Sequence, residues 1–188
     1  MSDKMMDLQW SIRDYLRSFN YFSDALSTPR IPITVLTEAV ADLETEVDEA
    51  LSNASGLCVL IRTPGGEIPS ADHGGPVYDP ARIHIRIYEN PYLNRMAGGT
   101  RQPSGAVADA IIRLLWTFHQ TVTGYNAPIV PTSRAWGLEQ HTGLPFYDVL
   151  LKTVVALDTA EPSRADVLTD EHGATIGNTG AGSGDIIP

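Results

Sequence analysis

Residues 82–120 constrain the fold of this chain more than any other stretch, because a clear strand pattern there leads into a clear helix pattern. Its first part alternates isoleucine with polar or aromatic residues, at Ile83, Ile85 and Ile87. This two-residue period is typical of a strand that is buried on one face. A loop rich in Gly, Pro and Asn follows at residues 90–99, and helical spacing begins after Ser104, the expected N-cap. The pattern predicts a strand–loop–helix unit at the centre of the fold.

The helix in this unit is apolar on more than one side, so we expect it to be buried within the fold or against a neighbouring subunit. Amphipathic patterns predict two further helices, over residues 7–20 and 38–52. Runs of β-branched or continuous apolar residues predict the remaining strands, over residues 31–36, 57–62 and 146–157, with a short strand or turn at 133–136. The chain should therefore adopt an α/β (α+β) fold, with a small mixed or antiparallel β-sheet of about four strands flanked by two to three helices.

Composition divides the chain into a single domain at residues 1–157 and an acidic, Gly-rich tail at residues 158–188. The tail carries six acidic residues against one basic residue and few large apolar groups. Such a segment cannot fold by itself, so we expect it to be disordered alone or ordered on assembly. Within the domain, residues 64–80 predict a long hairpin loop if the strands on either side pair. Loops of this length serve as lids or binding arms or are mobile, and the sequence leaves these alternatives open.

The charge balance argues against direct nucleic-acid binding. Lys and Arg total 13 against 23 Asp and Glu, which gives a net charge of −10, and no three basic residues fall together. DNA is therefore expected only as cargo that passes without specific contacts. Neither a signal-peptide core nor an apolar run of the ~20 residues that cross a bilayer is present, so synthesis in the cytoplasm without a membrane partner is expected. Cys58 is the only cysteine and lies in an apolar run, so we expect a buried thiol.

Sequence motifs that carry chemistry are missing. The chain has no Gly-x-Ser-x-Gly elbow, no phosphate-binding Gly-Lys-Ser/Thr loop and no dinucleotide-binding glycine fingerprint. Its five histidines show no helical metal-ligand spacing, and the best pair for a metal, Asp72 and His73, is weak. We therefore predict no catalytic residue, no cofactor and no metal. His84, Arg86 and Tyr88 share one strand face, which is either a charged anchor, the polar side of a strand or a subunit interface.

The order of these elements resembles the tail terminator (tail completion) proteins of long-tailed bacteriophages. Three segments carry the resemblance: residues 85–95, which include Glu-Asn-Pro-x-x-Asn-Arg, the helix at 106–118 and the strand at 147–156. It extends over residues 7–157, and neither the long loop nor the acidic tail contributes to it. The resemblance implies a structural virion protein, made in the host cytoplasm and located at the tail–neck junction. There a homohexameric ring would cap the tail tube and join it to the head connector.

The partners implied are further copies of the chain, the tail tube protein with the sheath as an optional addition, and head–tail connector or neck proteins. The candidate subunit or partner contacts lie in two loops and one strand face: Arg86, Tyr88, Asn90, Tyr92, Asn94, Arg95, Arg101, Asp72 and His73. One alternative is another neck, head-completion or baseplate component. An alternative of a different class is a monomeric binding module or enzyme that uses residues 64–80 as a lid.

Overall fold

The chain has a mixed α+β fold, with a five-stranded mixed sheet and four helices among the residues that the structure describes. The computed structural model describes residues 4–19, 22, 33–53, 55–64, 78–79, 81–95, 103–120 and 127–156. The elements, in chain order, are α1 (Lys4–Arg17), β1 (Thr34–Thr37), α2 (Leu43–Ser52), β2 (Leu57–Arg62), β3 (Tyr78–Asp79), β4 (Arg82–Glu89), α3 (Pro91–Arg95), α4 (Ser104–Trp116), β5 (His119–Gln120), β6 (Ala127–Pro128), β7 (Val130–Leu138), β8 (Pro145–Lys152) and β9 (Val155–Ala156).

The main sheet has the strand order β1-β2-β4-β8-β7, in which only β1 and β2 run parallel. The nearly continuous apolar run of β2 predicted an interior strand, and its residues from Leu57 to Ile61 are fully buried. β2 and β4 pair antiparallel, which meets the condition under which residues 64–80 were predicted to be a long hairpin loop, while most of that loop lies outside the described residues. Two short ribbons, β3–β9 and β5–β6, complete the set of described strands.

One face of the sheet packs against α1 and α4. The predicted alternation of β4 is confirmed, since Ile83, Ile85 and Ile87 are fully buried on this face with apolar residues of both helices. Burying one such side chain stabilises the fold by about 1.5–3 kcal/mol. The ring of Tyr15 in α1 lies 4.3 Å from the ring of Phe118, just beyond the end of α4. This core holds the central strands in fixed register and so positions the residues on the opposite face. None of the described helices is long and apolar enough to cross a lipid bilayer.

The other face is covered over β2 by α2, whose start differs from the prediction. The helix was expected from residue 38 but begins at Leu43, because Asp42 caps it by accepting a hydrogen bond of 3.2 Å from the amide of Thr45. Glu38 has a different role, since its Oε1 atom accepts hydrogen bonds from the Gln9 side chain and the Thr63 amide. Its carboxylate therefore links α1 to the end of β2.

The sheet has one strand more than expected, because the short strand or turn predicted at residues 133–136 is the nine-residue strand β7. Proline and glycine at Pro131 and Gly137 obscure its pattern, yet an edge strand tolerates them because one side needs no partner. The strand predicted at 146–157 ends at Lys152 instead. The next residue, Thr153, makes other contacts: its amide donates to Ala81 O and its hydroxyl donates to Pro128 O, both at 3.0 Å.

The connection between β4 and α4 also differs from the prediction. The expected loop contains the short helix α3, which begins with a proline and is capped by Asn90, whose Oδ1 accepts from the amide of Tyr92 at 3.2 Å. Ser104 is the first residue of α4 rather than its cap; Pro103 occupies the cap position and makes no side-chain cap bond. The amide of Ser104 donates instead to Glu89 Oε2 at 2.9 Å, so a distant carboxylate replaces the local hydroxyl.

Candidate functional site

Arg86 is the centre of a charged cluster on the face of the sheet opposite α1 and α4. The register places it beside Asp148, with His84 and Tyr88 on the same face of β4. Its guanidinium donates to both carboxylate oxygens of Asp148, at 2.8 and 2.9 Å, and to Glu139 at 3.3 Å. It also lies 4.0 Å above the ring of Phe146. Arg86 is thus held within its own chain by a two-pronged ion pair and an aromatic ring.

The electrostatics of this cluster favour the charged forms of both partners. Partial burial raises the pKa of Asp148, but the approach of His84 and the hydrogen bonds from Arg86 outweigh it and lower the pKa to about 2. The Nε2 atom of His84 lies 3.0 Å from Asp148 Oδ1, but it is poorly aligned for a hydrogen bond. The pKa of Arg86 is raised by its hydrogen bond to Asp148. The pair therefore remains ionised at neutral pH.

This pair predicts a specific dependence of stability on acid. Because Asp148 has a lower pKa in the folded chain than in the unfolded chain, its contribution is complete above about pH 4 and is lost as the pH falls towards 2. We expect Asp148→Asn to cost about 1–3 kcal/mol of unfolding free energy at pH 7. Urea unfolding at several pH values should show this difference shrinking below pH 4. Asp14→Asn, at an exposed carboxylate, serves as the control. A difference that stays constant down to pH 2 would contradict the assignment.

A groove lies beside this cluster, between α2, the strands β2 and β4, and the turn at residues 139–144. Its volume is about 380 Å³. Its floor and walls are apolar or aromatic: Leu43, Val47, Leu51, Leu60, Tyr88 and Leu144. Its rim carries three carboxylates, from Glu44, Asp48 and Glu139, against the basic Arg62 and His141. We call this the acidic groove, and it has the size and lining to take a large apolar side chain with a cationic neighbour.

The outer edge of β7 is the second unusual surface. Trp136 and Leu138 are 61% and 54% exposed. Trp136 is opposite Tyr147 of β8, and Arg134 forms an ion pair with Asp109 of α4, so these side chains lie on the helix-covered side of the sheet. Among the described strands, β7 pairs with β8 alone. We call Arg134, Trp136 and Leu138 the β7 patch.

A buried carboxylate anchors the segment after β4. Glu89 is 2% exposed, and its two oxygens accept hydrogen bonds from the side chain of Asn94, at 3.0 Å, and the amide of Ser104. Asn90 is used in a similar way, because its Nδ2 atom donates to Leu51 O at 3.2 Å. Three residues of the Glu-Asn-Pro-x-x-Asn-Arg stretch therefore hold α2, α3 and α4 together within the chain.

The residues that were predicted from the sequence to be contacts lie in different environments in the structure. Arg86 and Tyr88 are half-buried beside the acidic groove, Tyr92 is 82% exposed, and Asn90 and Asn94 bind within the chain. The side chain of Arg95 and all of Arg101, Asp72 and His73 lie outside the described residues. Contact with a partner stays a prediction for each of them.

The described part of the chain was searched for metal-binding groups and for a reactive thiol. No group of three or more His, Cys, Asp or Glu residues there is placed to hold a metal ion. The predicted burial of Cys58 is confirmed, and burial raises the pKa of its thiol to about 12. Because the thiolate is the reactive form, this cysteine is unreactive near neutral pH.

Sequence reasoning missed Glu89, the partners of Arg86 and the acidic groove. A carboxylate at position 148, between aromatic and aliphatic residues of its strand, was a signal for an ion pair, but its partner depends on the register between β4 and β8. The groove combines α2 and β2 with β4 and the turn at residues 139–144, which are distant in sequence, and no local pattern encodes it. Searches of protein-family models and of curated proteins find no match for this chain.

Proposed function

We propose that this chain is a tail terminator subunit of a long-tailed bacteriophage, which forms a ring that caps the tail tube and joins it to the head connector. The observation that carries the proposal is the exposed edge of β7, with Trp136 and Leu138 largely open to solvent. Soluble proteins protect long edge strands and large exposed apolar residues, because these surfaces associate with other chains. A surface of this kind supports a protein whose working form is an assembly.

The specific class comes from the resemblance of residues 7–157 to tail terminator proteins, and the α+β fold is compatible with it. Charge supports the same proposal. A net charge of −10 lets duplex DNA pass through a ring without binding to its wall, since attraction to phosphates is what would retain it. A closed ring also requires an interface that joins two different surfaces of the subunit, and the described residues contain two distinct candidates, the β7 patch and the acidic groove.

The test uses the purified full chain and tail tubes that lack a terminator. We expect negative-stain electron microscopy to show the protein as a ring at one end of each tube, and tube length to stop increasing once it is added. Light scattering over a concentration series should report whether the ring of about six subunits that the resemblance implies also forms in free solution. A protein that remains monomeric and leaves tube ends bare would refute the proposal, and a ligand-dependent thermal shift would then favour a binding module.

A further inference from the structure

We infer that the acidic groove of one subunit is the binding site for the β7 patch of a second copy of this chain. Both surfaces consist of described residues, and each has what the other lacks. The groove offers an apolar floor that none of the described side chains fills, with a volume of about 380 Å³. The patch offers a tryptophan that is 61% exposed, beside a leucine. Aromatic residues in fitted pockets dominate the binding energy of protein interfaces, which makes Trp136 the expected anchor.

Charge favours the same pairing. The groove rim has the exposed carboxylates of Glu44 and Asp48 against Arg62, whereas Glu139 is already paired with Arg86. The patch contains Arg134, and α4 places Arg113 one helical turn beyond the partner of Arg134, Asp109. The patch side therefore has an excess of positive charge that faces an acidic rim. This complementarity should orient the approach of two subunits and weaken as salt is added.

The two surfaces lie on opposite faces of the sheet, so the contact joins unlike surfaces. The patch is on the side of α4, and the groove is on the side of α2. A contact of this kind leaves one groove and one patch free at the two ends of each dimer, so association continues, and it ends in a ring where the rotation between subunits closes. The inference rests on the proposed function only for that ring closure; the pairwise contact between copies stands on the two surfaces themselves.

Two variants separate the surfaces. Trp136→Ser removes the anchor and keeps the groove, whereas Glu44→Arg combined with Asp48→Arg reverses the rim and keeps the patch. The matched controls are Trp10→Ser, at a tryptophan that is 40% exposed on α1, and Glu46→Arg combined with Glu49→Arg, which makes the same charge change on exposed positions of α2. Circular dichroism checks that each variant is folded.

Sedimentation velocity over a concentration series provides the measurement. We expect each groove or patch variant alone to lose self-association by about 30-fold or more, while both controls associate like the wild type. An equimolar mixture of the groove and patch variants should form one-to-one dimers that grow no further, because each dimer has one intact contact and two disabled ends.

Several results would overturn the inference. One is an equimolar mixture of the two variants that stays monomeric. Another is a control variant that loses as much self-association as the groove or patch variant to which it is matched. A third is a wild-type protein that does not self-associate. The proposed function is judged separately on tail tubes. Tubes capped equally by wild type and groove variant would keep the function and remove the contact, whereas head-to-tail association without capping would keep the contact and remove the function.

Discussion

A Gly56→Ala variant is expected to lose about 2–4 kcal/mol of unfolding free energy, enough to unfold much of a marginally stable domain. Two costs combine. Gly56 has a φ of +58°, a conformation that costs an L-residue about 1–2 kcal/mol. An added Cβ would also lie 2.7 Å from the backbone nitrogen of Asn94 and 2.8 Å from the backbone oxygen of Asn90. Neither atom can move easily, because the amide of Asn90 itself donates to Gly56 O at 2.7 Å.

Gly143→Ala provides a matched control for this prediction. Gly143 has a similar φ of +66°, but nothing lies within 4 Å of an added Cβ there. The control therefore carries the backbone cost without the clash. Urea unfolding should show both variants destabilised, with Gly56→Ala lower by at least about 1 kcal/mol. Equal midpoints would mean that the close approach between the end of α2 and the start of α3 is not rigid.

The second large effect is expected at Glu89. Replacing it with glutamine keeps the shape of the side chain but turns one of its two acceptor oxygens into a donor. Either Asn94 Nδ2 or the Ser104 amide then faces another N–H group in a buried site. Leaving a buried donor without an acceptor costs about 1–3 kcal/mol, and more where the lost acceptor was charged.

Chemical unfolding measures this loss, with Glu46→Gln at an exposed position of α2 as its control. The first turn of α4 should also exchange its amide hydrogens faster in Glu89→Gln, because the carboxylate holds the first amide of that helix. A variant with wild-type stability and unchanged exchange in α4 would show that Glu89 is not an anchor.

Local patterns were enough to predict the elements that form the core. The isoleucine alternation of β4 and the apolar run of β2 each encode their own burial, so their boundaries and faces could be read directly. β7 could not be read in this way. Most of its side chains are exposed at the edge of the sheet, so the buried alternation that marks a strand is absent.

The candidate site depends on the register between strands that are distant in sequence, and local sequence patterns do not specify that register. Arg86 was identified as a notable residue of its strand, but Asp148 and Glu139 reach it only because β8 pairs with β4 and the turn that follows β7 folds over the sheet. Ser104 was a reasonable cap by local rules. In the structure, the first amide of that helix donates to the carboxylate of Glu89, fifteen residues earlier. Rules based on neighbouring residues cannot predict that contact.

The burial of Cys58 has a practical consequence for observing this protein at work. Because the only thiol of the chain is buried and held in its protonated form, a dye or spin label that reacts with thiolates will find no native target in the folded protein. A single cysteine introduced at an exposed position away from the groove, such as Glu46, would therefore carry the label alone. The proposed self-association could then be followed by fluorescence or electron spin resonance in the otherwise natural sequence.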